Sequence, residues 1–586
     1  MQRAIRLALI IWGLSLNQAR AQEDPQKLAA QVQSLLREHC HKCHNGPGSE
    51  SGYDFDVLKV ASLTQKTEEG NPVIKPKNPA KESRLYRIVE RGKMPPGKKL
   101  AAEELTLLGK WITAGAPDFP RVQQRPFLAL RDILQAIDTH LQDAPKEQRP
   151  YLRYFTLVNI YNNPKIPDED LQVYRAALTK AVNSMSWHPR MARLHPVDAW
   201  QTTYALDLRH VRWDAHAWRK VLTYYPYGLK YESHKDKKLQ ALDHRLRQET
   251  GADLPYLRAD WFITVATQPP LYHDLLRMPH TAQELEHKLD VNIKDNFLSD
   301  MLMRSGFKKS NVSNQNRLVE RHDAAYGAYW ISYDFKPKNA HGDLLQFPLG
   351  PRDLFPHGQH PYEREAFTHD GGEIIFNLPN GLQGYLLTDS KGGRLDEPAP
   401  DDVVQESSRF LGTARVINGI SCMHCHAKGM IPLRDDVREG FAKLGDAQQK
   451  VERLYPARSV MNKQIVEDQD RFLRALRKAF ASVGVSFEKD ADFHKFIEGR
   501  EPVGKVANIY LTHSLDLAMV AQELDLPAPT KLLEKIGENR LRQLGLGSLM
   551  QEGGIITRQD WDTVKARSLM QRAAEELGAT SVKVTQ

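Results

Sequence analysis

The chain has 586 residues, of which 41% are hydrophobic, and 81 basic against 73 acidic residues give a formal charge of +8. This length and apolar content exclude an intrinsically disordered protein and predict several domains of roughly 150 residues each. The basic residues are spread along the chain rather than grouped, so we expect no nucleic acid among its partners.

The N-terminus has the pattern of a secretory signal peptide. A basic start precedes an apolar run from Leu7 to Leu16, and Ala19-Arg20-Ala21 fits an A-x-A cleavage site. The run is shorter than the ~20 residues of a transmembrane helix, and no later segment is long and uncharged enough to form one. The sequence therefore predicts a periplasmic or secreted protein, cut after Ala21, with no transmembrane segment.

The first predicted helix leads directly into a cysteine motif, Cys40-His41-Lys42-Cys43-His44. C-x-x-C-H is the attachment signature of c-type haem. Two thiols at this spacing reach the two vinyl groups of one porphyrin, and the adjacent histidine ligates the iron. The motif predicts a covalent haem on Cys40 and Cys43 with His44 as its axial ligand.

A methionine follows on a loop between two helices. Met94 precedes Pro95 and Pro96, and an amphipathic helix with Leu105, Leu108 and Trp111 on one face comes next. A methionine on a proline-stiffened loop opposite the proximal histidine is how small c-type cytochromes supply the distal thioether. Met94 is the predicted sixth ligand of this iron, and ordinary core packing is the alternative for its side chain.

Residues 36–118 resemble the planctomycete-type cytochrome c domain. The resemblance is carried by the C-x-x-C-H motif and by three later stretches in the family's order, which are Glu82-Ser83-Arg84-Leu85-Tyr86, Lys93-Met94-Pro95-Pro96-Gly97 and Leu108-Gly109-Lys110-Trp111-Ile112-Thr113-Ala114-Gly115-Ala116. It implies an all-α, single-haem electron carrier and supports Met94 as the distal ligand. It covers less than a fifth of the chain.

The predicted secondary structure of the middle of the chain changes from helix to strand near residue 300. Residues 119–300 are predicted to be mostly helical, with helices at Asp168–Asn183 and Thr281–Leu289. Residues 301–400 predict a small antiparallel sheet with a hairpin turn at Pro379-Asn380-Gly381, which we expect to form a wall of a second haem pocket.

Two polar clusters in this sheet region contain groups suited to proton transfer, Glu320-Arg321-His322-Asp323 and Thr368-His369-Asp370-Gly371-Gly372-Glu373. A histidine or glutamate could act as a base and the arginine could stabilise charge. The alternatives are a solvated face for the first cluster and an ordinary turn for the second.

A second C-x-x-C-H motif is formed by Cys422, Cys425 and His426. The two motifs use all four cysteines of the chain. A zinc site would need a second ligand pair nearby, and a thioredoxin-like dithiol would need a βαβ context, so we predict a second covalent haem c ligated by His426.

The sixth ligand of this second iron is left open by the sequence. Met430 lies four residues after His426, so on a helix it would share the proximal face, and we discount it. A five-coordinate iron is the alternative to a distant side chain. The other candidates are Met461, His494, His513, Met519, His322 and His369.

The predicted fold class is mainly α. Beyond the second motif we expect helices at Ile465–Phe480 and Val506–Leu524, then a helical tail. The predicted layout is a signal peptide (1–21), a cytochrome c domain (22–118), a helical region (119–300), a mixed region with hairpins (301–400), a helical second haem domain (401–530) and the tail (531–586).

Three functions fit two covalent haems. The favoured one is electron transfer between redox partner proteins. A di-haem oxidoreductase of peroxidase type, with substrate chemistry at the second haem, is less favoured because such enzymes hold their two motifs much closer together. The third is a haem-linked ligand-binding or sensing module.

Overall fold

The computed structural model describes residues 24–41, 43–44, 55–65, 71–96, 99–119, 125–309, 315–337, 341–396, 409–441, 445–499, 501–563, 567–582 and 584. The predicted signal peptide, Lys42 and Gly97 lie outside these residues. About 48% of the structure is helical and 13% is strand, which confirms the mainly α fold. The chain forms two compact units, residues 1–123 and residues 124–586.

The first unit is all-helical in its described part. Asp24 caps the first helix and Pro25 occupies its first turn, a favourable start because proline needs no backbone partner there. Trp111 is fully buried in a core separate from that of the second unit. The helices are α1 (Pro25–His39), α2 (Val60–Thr64), α3 (Arg84–Glu90) and α4 (Ala102–Thr113).

The second unit begins with helices around a four-stranded mixed sheet of order β2-β3-β1-β5, which the sequence reading missed. Its strands are short, and the five residues of Leu152–Thr156 are all buried, so no alternation of apolar and polar residues marks them. The elements are α5 (Leu130–Asp143), β1 (Leu152–Thr156), α6 (Val158–Tyr161), α7 (Asp168–Ser184), β2 (His195–Pro196), β3 (Thr203–Asp207), α8 (Ala215–Thr223), β4 (Leu229–Lys230), α9 (Lys237–Thr250), β5 (Tyr256–Arg258), α10 (Ala259–Ala266), α11 (Leu271–Leu276), α12 (Ala282–Leu289) and α13 (Ile293–Leu298).

The predicted antiparallel sheet is present and has five strands in the order β10-β9-β8-β7-β6. The hairpin over Pro379-Asn380-Gly381 is confirmed, with Asn377 paired to Gln383 and Gly381 at a φ of 89°. The strands are β6 (Met303–Lys308), β7 (Asn316–Ala324), β8 (Gly327–Phe335), β9 (Gly371–Asn377) and β10 (Gln383–Asp389).

The first polar cluster lies on β7, and its interpretation as a solvated face is wrong. Glu320 and His322 are fully buried and hydrogen-bond each other at 2.7 Å, and Arg304 donates to Glu320 at 2.7 Å. Because side chains alternate along a strand, Arg321 points to the other face, where it pairs with Asp468. Paired charges tie this strand to its neighbours.

The rest of the second unit, which includes the C-terminal residues, is largely helical. The helix predicted over Val506–Leu524 is wrong in its length, since it breaks after Thr512 and Asp516 caps a new helix. The elements are α14 (Ile420–Cys425), α15 (Val437–Gly440), α16 (Asp446–Leu454), α17 (Arg458–Ala481), α18 (Asp490–Gly499), α19 (Pro502–Thr512), β11 (Leu515–Asp516), α20 (Leu517–Glu523), α21 (Pro529–Ile536), α22 (Glu538–Leu544), β12 (Ile555–Ile556), α23 (Arg558–Asp562), α24 (Leu569–Glu576) and β13 (Thr580–Ser581). Across the described residues, no helix has the length and apolar character needed to cross a membrane.

Candidate functional site

The first cysteine motif continues the end of α1. Cys40 is the C-cap, and its amide donates to the carbonyl of Leu36 at 2.9 Å. The amides of Cys43 and His44 both donate to the carbonyl of Cys40, at 3.2 and 3.0 Å. This tight turn brings the two thiols and the imidazole together at one end of the helix.

The side chains of this motif are partly buried. The His44 ring stacks on Phe55 with centroids 4.9 Å apart, and burial lowers the pKa of His44. Burial, aided by the charge of Cys43, raises the pKa of Cys40 to about 11. Burial thus favours the neutral imidazole, which is the form that binds a metal.

Met94 packs against the core of the first unit, on the loop between α3 and α4. The helices on either side of the motif are held together by a hydrogen bond between His39 Nε2 and Glu104 at 3.1 Å. Thus α1, which ends at the motif, packs on α4, and the same core holds the methionine.

The second motif lines a cavity of about 440 Å³ on one face of the five-stranded sheet. Cys422, Cys425 and His426 all face this cavity. Its opposite wall includes Trp330 and Glu373 from β8 and β9, so the predicted sheet lines the cavity at the second motif.

Helix α14 carries the two cysteines and starts at a glycine that has no room for a side chain. Gly419 has a φ of 83°, and a Cβ there would lie 2.5 Å from the carbonyl oxygen of Thr267. The preceding Asn418 is fully buried and hydrogen-bonds His273 Nε2 at 2.7 Å. The start of the helix is fixed by contacts with α10 and α11.

A buried ion pair supports the other side of α14. The Lys180 ammonium on α7 lies 2.7 Å from Glu501 and 3.4 Å from the carbonyl of Met423, the residue inside the motif. Glu501 also accepts from the amides of Val503 and Gly504 and so caps α19. Sequence reasoning missed this pair because its members lie 321 residues apart.

Glu373 is an acidic group that lies near the second imidazole. Its Oε1 lies 3.8 Å from His426 Nε2, and Glu373 lines the same cavity as Cys422. Burial by itself raises the pKa of Glu373, but the nearby His426, with the charge of Arg317, lowers it to about 2. A group bound at His426 would meet this carboxylate.

Of the methionines and histidines in the described residues, only His426 and Met430 line this cavity. The argument that discounted Met430 is wrong in its premise, because α14 ends at Cys425 and Gly429 turns the chain at a φ of 90°. The backbone after His426 is thus a loop. The other six candidates, Met461, His494, His513, Met519, His322 and His369, are absent from the lining.

Residues 40–98 match the family described as Planctomycete cytochrome C. This confirms the resemblance read from the N-terminal motifs, although the match ends before Leu108–Ala116. No curated protein and no solved structure gives a significant match. The N-terminal unit therefore carries a cytochrome c domain, which implies covalent haem c and indicates haem-based electron transfer.

The residues of the second site also fit a haem. Two thiols and one imidazole face a single cavity whose volume falls within the roughly 300–1,000 Å³ range of cofactor sites. All four cysteines are thiols rather than disulfide partners. No group of histidine, cysteine and carboxylate side chains in the described residues has the arrangement of a metal site made by protein alone.

Proposed function

We propose that the protein is an exported di-haem c-type cytochrome that transfers electrons between redox partner proteins. One haem is held by Cys40, Cys43 and His44, and the other by Cys422, Cys425 and His426. The observation that carries the proposal is the second motif, whose three side chains face one cavity in a chain that already contains a cytochrome c domain.

In the first unit, His44 and Met94 are the proposed axial pair. A haem with these ligands supplies a one-electron couple, and a methionine ligand raises its potential. Met94 packs against the hydrophobic core that α1 and α4 share, and this packing supports its assignment as the distal ligand.

In the second unit, His426 is the proposed proximal ligand and its orientation is set by the chain. Its Nδ1 is 3.1 Å from the carbonyl oxygen of Gly429, so Nδ1 carries the proton and Nε2 is left for the iron. The pair of Lys180 and Glu501 holds the helix that presents the thiols.

A second candidate is a di-haem oxidoreductase with substrate chemistry at the second haem. One observation favours it, namely Glu373, a carboxylate that faces the iron-binding nitrogen of His426 inside a partly closed cavity. A carboxylate in this place could accept or deliver a proton during such chemistry.

The spin state of the second haem in spectra of the full-length holo-protein separates the two candidates, and Met94→Ala tests the axial pair proposed for the first haem. Electron transfer predicts that both haems of the unaltered protein are low-spin and reversibly reduced. In Met94→Ala only the first haem should become high-spin. Met461→Ala is the matched control. A high-spin second haem in the unaltered protein, together with turnover of hydrogen peroxide, would replace electron transfer by the second candidate.

A further inference from the structure

The cavity at the second motif has a group of cations with no acidic partner. It is lined by four cations and four carboxylates, so it is neutral as a whole. The cations are Lys309, Arg317, Arg434 and Arg458, and the carboxylates are Asp334, Asp370, Glu373 and Asp389.

The carboxylates are all engaged. Arg317 binds Asp334 through two hydrogen bonds of 2.7 and 2.8 Å. Asp370 accepts from the amide of Lys336 at 3.0 Å, and Asp389 accepts from two amides that follow it in the chain. Glu373 faces His426, so no carboxylate of the lining is left for the other three cations.

Those three cations, Lys309, Arg434 and Arg458, form what we call the basic mouth. None of them has an ion pair in the part of the chain that the structure describes. The neighbouring Asp435 and Asp436 bind backbone amides of β6 instead, at 2.8 and 3.2 Å.

The first two cations of the basic mouth lie on backbone segments that contact each other. The guanidinium of Arg434 donates to the backbone carbonyls of Lys308 and Lys309 and lies 5.8 Å from the ring centroid of Phe307. Both side chains line the cavity, and an anion bound there would be attracted by the two like charges.

Arg458 adds positive charge from a helix end. It is the first residue of α17, whose first turn has no acidic residue and whose N-cap, Ala457, makes no side-chain cap. The partial positive charge of a helix N-terminus adds to that of the guanidinium, so this position favours an anion.

The basic mouth lies away from the thiols. Cys422 lies near Glu373 of β9 in the cavity lining, whereas Lys309 follows the end of β6, three strand spacings away, or about 14 Å across the sheet. A c-type haem has the same polarity, with its thioether bonds on one part of the ring edge and its two carboxylate-bearing propionates on another.

We propose that Lys309, Arg434 and Arg458 bind the propionates of the second haem. The inference rests on the proposed function, since it needs a haem on Cys422 and Cys425. Arginine suits this task because its planar fork matches a carboxylate with two hydrogen bonds. The three cations would fix the orientation of the ring and leave its propionate edge at the exposed side of the cavity.

The test uses the full-length holo-protein with Arg434→Gln, Lys309→Gln and Arg458→Gln, and Lys463→Gln as an exposed control on α17. The proposal predicts that each mouth variant shifts the propionate bands of the second haem in resonance Raman spectra and lowers its reduction potential. Arg434→Lys keeps the charge, so it should retain most of the potential while the Raman bands still shift.

The propionate assignment and the proposed function are contradicted by different results. The propionate assignment alone is overturned if a variant of the basic mouth carries two haems per chain and has the same Raman bands and reduction potential as Lys463→Gln. Cations that bind only an acidic partner protein would give this result. A chain that carries haem only on Cys40 and Cys43 overturns the proposed function instead.

Discussion

The two C-x-x-C-H motifs sit in contrasting surroundings. The first ends a helix in a small all-helical unit, where His44 stacks on Phe55 and Met94 lies on a nearby loop. The second lies on a six-residue helix facing a β-sheet, and the pair of Lys180 and Glu501 is buried behind it. The same motif is thus supported by apolar packing in one unit and by buried charge in the other.

The difference between the two surroundings indicates which substitutions should destabilise each site. An apolar core is destabilised when a large side chain is removed and leaves a cavity, whereas a buried ion pair is destabilised when a polar substitution leaves one charge without its partner. We therefore expect the second site to respond sharply to single polar substitutions at a distance from its thiols.

The largest effect is expected from removing either pair of thiols. Cys40→Ser/Cys43→Ser and Cys422→Ser/Cys425→Ser should each lose half of the absorbance in a pyridine haemochrome assay, because each pair holds one haem. The two double variants serve as controls for each other. An unchanged value for the second double variant would mean that the second motif carries no haem.

Lys180→Met is expected to lower the free energy of unfolding of the second unit by about 3–5 kcal/mol, because the buried Glu501 would lose its cationic partner and keep only its hydrogen bonds to the amides of Val503 and Gly504. Urea denaturation followed by circular dichroism measures the loss. Lys463→Met, on the exposed face of α17, is the matched control.

The double variant Lys180→Met/Glu501→Gln sharpens this test. It leaves no unpaired buried charge, so its loss should be smaller than the sum of the two single losses. Additive losses would show that the two side chains act independently and that the ion pair does not support α14.

Gly419→Ala is expected to have a smaller effect, roughly 1–3 kcal/mol from backbone strain alone, with a further loss from the clash of its Cβ with the carbonyl of Thr267. Gly412→Ala is the control, since Gly412 also has a positive φ, 77°, but an open surrounding. Equal losses for the two variants, measured by urea denaturation, would contradict the close contact at the start of α14.

Local patterns made the first site predictable from the sequence. The apolar face of α1, the motif at its end and the methionine loop all lie within about one small domain, so spacing along the chain reports on spacing in the fold. The hairpin before the second motif was also predictable, because Pro379-Asn380-Gly381 is a local turn signal.

The second site was predictable only in its motif. Glu373 was noted in a polar cluster, but nothing local indicates that it faces His426, 53 residues later. Gly419 carried a weak signal, since a glycine directly before a helix often marks an unusual φ, and Lys180 carried none. The loop at Met430 was missed because a helix was assumed to continue past His426.

The most direct measurement is the mass of the peptide that contains Cys422, Cys425 and His426. The holo-protein is made with its signal sequence in a bacterium that matures c-type cytochromes, and the peptide is released from it by proteolysis. Our account predicts that this peptide carries the mass of one haem, as the Cys40–His44 peptide does. A Cys422 peptide recovered as unmodified dithiol or as a disulfide, beside a haem-bearing Cys40 peptide, would contradict it.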